Sequence, residues 1–410
     1  MKLVQLCERL FVVFTLLYFA GGLIPSAVAE GQQDPGLGRV GLVTQLLIYS
    51  ILLVAMSLHR TEILQGIRAA AWPIAICILA IVSTAWSTDP TFTARRGVLL
   101  LLTTLFAVYF ASCFEWSEQS NLMSWMLVLA VVGSFLMIAV LPAYGLSHDL
   151  HSGDWKGLFP HKNVMGRQMA FAILMLTMVR PSSIPQWLRI GSLVGAAILL
   201  LKSHSATSLA ATAICLAAFI VLHLLRVKKE KTLPLWVPFV PLATFAVLAV
   251  VANSDIFLRV LSKNETLTGR TAIWTTAIEA IHRQPWFGYG YLAFWQRSTT
   301  HAHDGYLDIL LDIGIVGLAL FSYVFVRTLL RALRLFVQTS GSDGKWPLVF
   351  LLFVAVYNIT ESCILRPRTF LWIPLVWVSI AMVPGLRPEE NEGLELACAP
   401  DVPAVPEFST

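Results

Sequence analysis

Charged residues are scarce in this chain: they make up 13% of its 410 residues, while hydrophobic residues make up 57%. A soluble protein of this length would carry roughly a quarter charged residues. The shortage excludes an ordinary soluble domain and predicts an integral membrane protein.

Three further features that the sequence lacks exclude other kinds of fold and site. The six cysteines are scattered, mostly inside apolar runs, with no pairing or zinc-ligand spacing, so neither a disulfide nor a structural metal is expected. Strand-period alternation is missing, which argues against a membrane barrel. No internal repeat or low-complexity segment stands out, and no stretch is long enough for a sizeable soluble domain.

Long apolar runs are what the chain does contain. A spanning helix needs about 20 mainly apolar residues, and about twelve such stretches predict an all-α polytopic membrane domain over residues 1–385. They lie near 9–25, 41–58, 69–86, 98–113, 122–144, 166–179, 188–203, 207–225, 235–252, 307–326, 346–360 and 369–385. The acidic, proline-bearing residues 386–410 are predicted to be a disordered cytoplasmic tail.

The N-terminus has features of a cleavable signal peptide, namely Lys2, Arg9, an apolar run and "AVA" at 27–29. An uncleaved first helix fits the topology better. With twelve spans, the strongly basic loops around 59–68, 180–189, 226–231 and 327–334 all fall on one side together with both termini, which predicts N-in and C-in.

Basic residues are also present on the opposite face, which includes a large loop at about 253–306. They are Arg95, Arg96, Lys156, Lys162, Arg167, Arg259, Lys263, Arg270, Arg283, Arg297, Arg366 and Arg368. Long loops escape the positive-inside rule, but the short ones do not. Cations held at that membrane surface suit an anionic, phosphate-bearing substrate; the alternative is that they extend to lipid phosphates.

Two short polar segments on that face are candidates for substrate binding. In "WKGLFPHKNVMGR", 155–167, residues His161, Lys162 and Asn163 precede a helix expected to begin near Gly166, and Arg167 lies just inside it. A helix N-terminus favours an anion, although Asn163 could equally be an ordinary cap. "KSHSATS", 202–208, predicts a tight turn in which Lys202 and His204 are the ionisable residues of interest.

A longer amphipathic segment follows in the large loop. Residues 270–281 have helical periodicity, with Ile273, Trp274, Ala277 and Ile281 on one face, and "QPWFGYGY" at 284–291 ends it. A helix lying on the membrane has this pattern. Arg270 at its start is unusual, because acidic residues are preferred there, and a bound anion would explain it.

The stretch "HAHDGYLDILLDIGIVG", 301–317, combines titratable groups with an apolar helix. His301 and His303 are two apart and would not share a helical face, whereas Asp304, Asp308 and Asp312 would. Three carboxylates could bind a divalent cation, but no fourth ligand is apparent, and Asp304 alone suits a helix cap. A neutral histidine acting as base near a hydroxyl is the favoured interpretation. Gly314 and Gly317 are assigned to helix packing.

Together these segments resemble the O-antigen ligase and Wzy-type polysaccharide polymerase superfamily, especially its exopolysaccharide-polymerase branch. The family pattern of H-N/D, nine residues and G-x-x-G is met by His303, Asp304, Gly314 and Gly317. "HKNVMGR", "TGRTAIW" at 268–274 and "WSTDPTFTARRG" at 86–97 are similar to further family segments, so the resemblance covers about 80–385. One departure is "SHSAT", where many relatives have Ser-Arg-Thr and this chain lacks the arginine at 204–206.

The resemblance implies a glycosyltransferase of GT-C type that needs neither metal nor cofactor. It would act at the periplasmic face of the bacterial inner membrane on a glycan linked to undecaprenyl diphosphate, with a sugar hydroxyl as acceptor. His303 would assist that hydroxyl and Arg270 would hold the diphosphate. Further substrate-binding candidates are Arg167, Lys162, His161, Asn163, Arg95, Arg96, His301, Asp304, Lys202 and His204.

Three functions stay open. An exopolysaccharide polymerase is favoured by "HKNVMGR" over an O-antigen ligase that transfers the glycan to lipid A–core or another acceptor. A glycan transporter is less favoured, because the polar residues cluster on one face rather than at the midplane. The bilayer and the lipid-linked donor are expected partners, a chain-length regulator and export proteins are further candidates, and no nucleic acid is expected.

Overall fold

The computed structural model describes residues 2–22, 39–147, 153–227, 266–296, 301–338, 344–366 and 369–382. Within these ranges the chain is helical, with only an isolated bridge between Leu146 and Trp155. The helices are α1 (Lys2–Phe19), α2 (Arg39–Leu58), α3 (Arg60–Ala69), α4 (Ala71–Val82), α5 (Pro90–Cys113), α6 (Trp116–Val140), α7 (Pro142–Gly145), α8 (Lys162–Met178), α9 (Gln186–Lys202), α10 (Ala206–Val227), α11 (Thr266–Arg283), α12 (Gly305–Gln338), α13 (Trp346–Tyr357) and α14 (Trp372–Ala381). The predicted all-α class is confirmed.

Eleven of the twelve apolar stretches coincide with helices; the stretch at 235–252 lies outside the described residues, as do "AVA" at 27–29 and the tail at 386–410. Among the described helices, α2, α5, α6, α10 and α12 are long and apolar enough to cross a membrane. Helix α3 and the segment 71–86, bent by 78°, form a sixth candidate. The chain is therefore a multi-pass membrane protein, while twelve spans, the orientation and the division at 385 remain predictions.

Short apolar helices explain why the span count differs. Helices α13 and α14 have 12 and 10 residues, or about 18 and 15 Å at 1.5 Å per residue. The hydrocarbon core of a bilayer is about 30 Å thick. Both helices are nevertheless almost completely buried in the protein, so apolar sequence here reflects packing inside the bundle as well as contact with lipid.

Helix α5 is the centre of one half of the core and packs against α3, α4 and α14, while α8 packs against α6, α9 and α10. The start of α5 follows from its sequence. Asp89 accepts a hydrogen bond from the Phe92 amide at 3.0 Å, and Pro90 occupies the first turn, where its missing N–H costs nothing.

Helix α12 is broken at Gly314, whose φ of 68° and ψ of −166° are not helical. The segment 284–291 runs beside the break: the amides of Tyr289 and Gly290 bond to the carbonyls of Leu311 and Asp312. A Cβ on Gly314 would lie 2.2 Å from the Trp286 carbonyl oxygen. The assignment of Gly314 to helix packing was therefore wrong, because this glycine supplies a positive φ and a close backbone approach.

Helix α11 confirms the predicted helix at 270–281 and its end before Pro285. Its apolar face packs on the protein: Ala277 and Ala280 join Leu311 in a small buried cluster. The pattern that suggested a helix lying on the membrane is thus explained by contact with α12.

Helix α8 begins at Lys162, four residues before the predicted start, and its N-cap is His161, which accepts from the Asn163 amide at 3.2 Å. The alternative interpretation of Asn163 as the cap was wrong, because a histidine ring nitrogen takes the place of the usual short oxygen side chain. The turn predicted at 202–208 is confirmed, since α9 ends at Lys202 and α10 begins at Ala206.

Candidate active site

The histidine loop, residues 301–304, leads directly into α12. Asp304 accepts hydrogen bonds from the amides of Tyr306 and Leu307 at 2.8 and 3.0 Å, so the predicted helix cap is confirmed. Burial raises the pKa of Asp304, and these two amide bonds act in the opposite direction. Its carboxylate is therefore committed to holding the start of the helix.

His301 and His303 lie face to face in this loop. Their ring centroids are 3.8 Å apart, at an interplanar angle of 34°. His303 has a φ of 51°, and this left-handed backbone brings together two side chains that helical spacing would separate. Burial, the neighbouring His303 and Arg366 lower the pKa of His301 to about 4, which leaves this ring neutral near pH 7.

Glu361 faces the histidine loop from the segment 358–366 between α13 and α14. One carboxylate oxygen, Oε2, lies 3.9 Å from His303 Nδ1, and the other, Oε1, accepts a 3.0 Å hydrogen bond from the Asn163 amide group. Among the described residues, His303 Nδ1 is buried without a hydrogen-bond partner. Glu361 thus joins the "HKN" segment of α8 to the histidine loop.

The segment 358–366 is held in place by Asn358. Its side-chain oxygen accepts from the amides of Cys363 and Ile364 at 3.0 and 3.1 Å, and its backbone carbonyl accepts from the Gly305 amide at 2.7 Å. A Cβ on Gly305 would lie 2.4 Å from the Asn358 side-chain oxygen. The two loops are therefore fixed together without a covalent link.

Arg366 forms an ion pair with Asp308 in the first turn of α12. Trp295 donates a second hydrogen bond to the Asp308 carboxylate at 3.0 Å. Burial alone would lower the pKa of Arg366, but Asp308 and Asp312 outweigh it and raise that pKa. Asp304 caps the helix and Asp308 is paired with an arginine, so two of the three aspartates in the row have structural roles.

Arg167 lies one turn into α8 and is buried. One guanidinium nitrogen, Nη1, lies 2.9 Å from the Cys363 sulfur, and Nε has no hydrogen-bond partner among the described residues. The Arg167 side chain is also close enough to Glu361 for the two charges to interact. Asn163 and Arg167 therefore meet the histidine loop through the segment 358–366.

Lys162 and His204 belong to a separate ion-paired cluster around Asp154. Lys162 Nζ and His204 Nδ1 each lie 2.5 Å from an Asp154 oxygen. Burial opposes ionisation of Asp154, but the two hydrogen bonds prevail and lower its pKa. Lys202 packs over the Trp155 ring, with its ammonium group 6.0 Å from the ring centroid. Asp154 therefore holds both the polar turn, through His204, and the start of α8, through Lys162.

Arg96 is buried at the start of α5 with its guanidinium 4.9 Å from the Phe92 ring centroid, while Arg95 is exposed. The same turn is tied to Tyr291, whose carbonyl accepts from Thr93 at 3.1 Å. Both Arg96 and Arg366 interact electrostatically with Tyr291. Arg96 and Arg366 therefore lie near the same residue, Tyr291.

Helix α11 reaches the histidine loop through Trp274, whose indole N–H donates to the Ala302 carbonyl at 2.8 Å. Arg270 precedes Trp274 by four residues, about one turn, in the same helix. The segment that carries Arg270 is therefore anchored between the two histidines.

A group of potential metal ligands also lies here. One ligand atom from each of His301, His303 and Glu361 lies within 4.8 Å of the other two. No motif spacing indicates this set, because helical spacing separates the two histidines and Glu361 is 58 residues further along the chain than His303.

Comparisons with known proteins cover the same part of the chain. A model of the O-antigen ligase family matches residues 191–322, which include α11, the histidine loop and the break in α12. The chain is similar to the exopolysaccharide production protein ExoQ of Rhizobium meliloti (strain 1021), with 25% identity over 362 residues, 80% of each chain. The resemblance to the O-antigen ligase and Wzy-type superfamily is confirmed. The family match, the similarity to ExoQ and the apolar helices together indicate a membrane enzyme of polysaccharide biosynthesis.

Proposed function

We propose that the chain polymerises repeat units linked to undecaprenyl diphosphate into an exopolysaccharide, at the periplasmic face of the inner membrane and without a metal. The observation that carries the proposal is the contact between His303 and Glu361, beside the helix that bears Arg270. This contact supplies a base and a group that orients the base, and we assign the cation to Arg270.

In the proposed step, the hydroxyl of an acceptor sugar attacks the anomeric carbon of the donor glycan. The bond from that carbon to the diphosphate oxygen breaks with its electron pair, and undecaprenyl diphosphate leaves. The hydroxyl proton passes to His303. With Nδ1 facing Glu361, the second ring nitrogen, Nε2, is the one that takes the proton, following the logic of base and orienting carboxylate in serine hydrolases.

The 3.9 Å separation of His303 and Glu361 is longer than a hydrogen bond. Catalytic hydrogen bonds are often long before substrate binds and shorten in the complex. Asn163 holds the opposite oxygen of Glu361, so the carboxylate already has a fixed orientation.

The leaving group requires positive charge, since diphosphate departs more readily when its charge is balanced. Arginine can do this through paired hydrogen bonds to phosphate oxygens. We assign this role to Arg270 and, from the α8 side, to Arg167. Lys162 and Arg366 already face the carboxylates of Asp154 and Asp308, which makes them positioning residues in this proposal.

The test is reconstitution of the purified chain in lipid nanodiscs with a lipid-diphosphate-linked repeat unit, followed by separation of products by length. Wild type is expected to give a ladder in the presence of a chelator, and His303→Ala and Arg270→Ala are expected to give none. His282→Ala and Arg283→Ala change exposed residues of the same helix and serve as matched controls. Normal ladders from both site variants would refute the assignment.

An O-antigen ligase is the second candidate, favoured by the family model over 191–322. The same reconstitution separates the two, because a polymerase extends the donor units alone. A ligase gives product only when lipid A–core is added, and that product carries one transferred glycan.

A further inference from the structure

We propose that His301, His303 and Glu361 form a binding site for a divalent transition-metal ion of the Zn²⁺ class. The ion is no part of the catalytic step. When bound, the ion coordinates His303 and prevents this residue from acting as a base. Only this expected loss of rate rests on the proposed function.

The three ligand atoms are of the types that bind zinc. Two imidazole nitrogens and one carboxylate oxygen are a known set of three protein ligands for a tetrahedral zinc site with one open position. Imidazole favours zinc and related ions over calcium and magnesium, which prefer oxygen ligands. The neighbouring Asp304 and Asp308 are excluded as ligands by their bonds to backbone amides and to Arg366.

The distances are within reach of such a site. The three ligand atoms lie within 4.8 Å of one another, and tetrahedral coordination at about 2.0–2.1 Å places ligand atoms roughly 3.4 Å apart. Bringing the three ligand atoms to this spacing therefore requires movements of about 1 Å, which rotations of the side chains provide. His301 and His303 already face each other, and no helix has to shift.

The surroundings support a ligand at this place. His303 Nδ1 is buried without a hydrogen-bond partner among the described residues, an arrangement that costs free energy unless another group satisfies the atom. Glu361 is oriented by the Asn163 amide at 3.0 Å, as carboxylate ligands of metal sites usually are. Arg366 repels a cation, but its guanidinium is paired with Asp308.

The experiment measures binding separately from activity. Chelator-stripped protein in nanodiscs is dialysed against Zn²⁺, and Co²⁺ absorption reports the ligand geometry. Wild type is expected to bind one equivalent tightly. His301→Gln and Glu361→Gln are each expected to weaken binding by about 100-fold or more, since even residues that only support a ligand contribute 10–100-fold. His282→Gln, an exposed histidine on α11, is the matched control.

Wild type that binds no equivalent, or binding that neither variant weakens, would overturn the metal site. Unchanged elution and melting profiles exclude misfolding as the cause of lost binding. In the polymerisation assay, Zn²⁺ is expected to lower the wild-type rate reversibly. Stoichiometric zinc that leaves the rate unchanged would contradict the role of His303 and leave the metal site standing, so the two proposals fail separately.

Discussion

Replacing Glu361 by glutamine removes one negative charge from the proposed site and keeps nearly the same shape. The amide oxygen of Gln can still accept from Asn163, so the 3.0 Å hydrogen bond at that side is preserved. What is lost is the charge 3.9 Å from His303 Nδ1. The substitution therefore tests the charge of Glu361, which acts on a protonated His303 and also on Arg167.

The size of the effect follows from that distance. Two unit charges 3.9 Å apart interact by about 1 kcal/mol in water and about 4 kcal/mol at an effective dielectric constant of 20. The side chains of His303 and Glu361 are 30% and 13% exposed, so the interaction lies between these limits. Since about 1.4 kcal/mol corresponds to a factor of ten in rate, kcat is expected to fall about 5- to 1000-fold.

The assay is the initial rate of chain growth in nanodiscs at several donor concentrations. Glu361→Gln is expected to lower kcat with little change in KM, and Glu361→Asp, which keeps the charge, is expected to recover part of the loss. Glu279→Gln changes an exposed carboxylate on α11 and should have no effect. A kcat for Glu361→Gln within twofold of wild type would refute the reasoning.

Three other changes test the supports of the site. Gly314→Ala places a Cβ against a backbone carbonyl at a φ of 68° and should destabilise the protein by at least about 2 kcal/mol, visible as a lower melting midpoint in detergent; Gly191→Ala, with open space around it, should melt normally. Trp274→Phe loses the 2.8 Å bond to the histidine loop, worth about 1 kcal/mol, and should slow chain growth several-fold without lowering the melting midpoint greatly. Asp154→Asn leaves the buried Lys162 without its counter-charge and should cost about 3 kcal/mol. Because the pKa of Asp154 is lowered in the folded state, this stabilisation is complete above about pH 4 and is lost as the pH falls through the folded-state pKa; a wild-type melting midpoint that does not decrease there would contradict it.

Apolar runs predicted the helices well, because a lipid-facing or deeply buried helix needs a long apolar sequence whatever its neighbours are. The same signal could not tell a membrane span from a short helix such as α14, which is apolar on all sides because protein surrounds it. Helix starts were less predictable. The cap of α8 is a histidine, and only the local geometry shows that its ring nitrogen accepts the Asn163 amide.

Glu361 was missed for a different reason. It comes after a short apolar run and belongs to no recognisable motif, and Arg366 was noted only among the basic residues of that face. A signal was available, since "NITESCILRPR" at 358–368 is a polar segment between two apolar runs, as "KSHSATS" is. What no pattern could give is the left-handed backbone of His303, which decides that both histidines face this carboxylate.

The charge pattern of the sequence suggested that many cations bind one anionic ligand. In the structure, several of these cations belong to separate ion pairs instead. Lys162 and His204 share Asp154, and Arg366 is paired with Asp308. His204 therefore cannot supply the charge of the arginine missing at 204–206 without giving up its bond to Asp154. Arg167 contacts the Cys363 thiol and interacts with the charge of Glu361, which also faces His303. If a diphosphate binds here, the positive charge that holds it comes chiefly from Arg167 and the α11 segment, and the other cations keep the loops of the site in position.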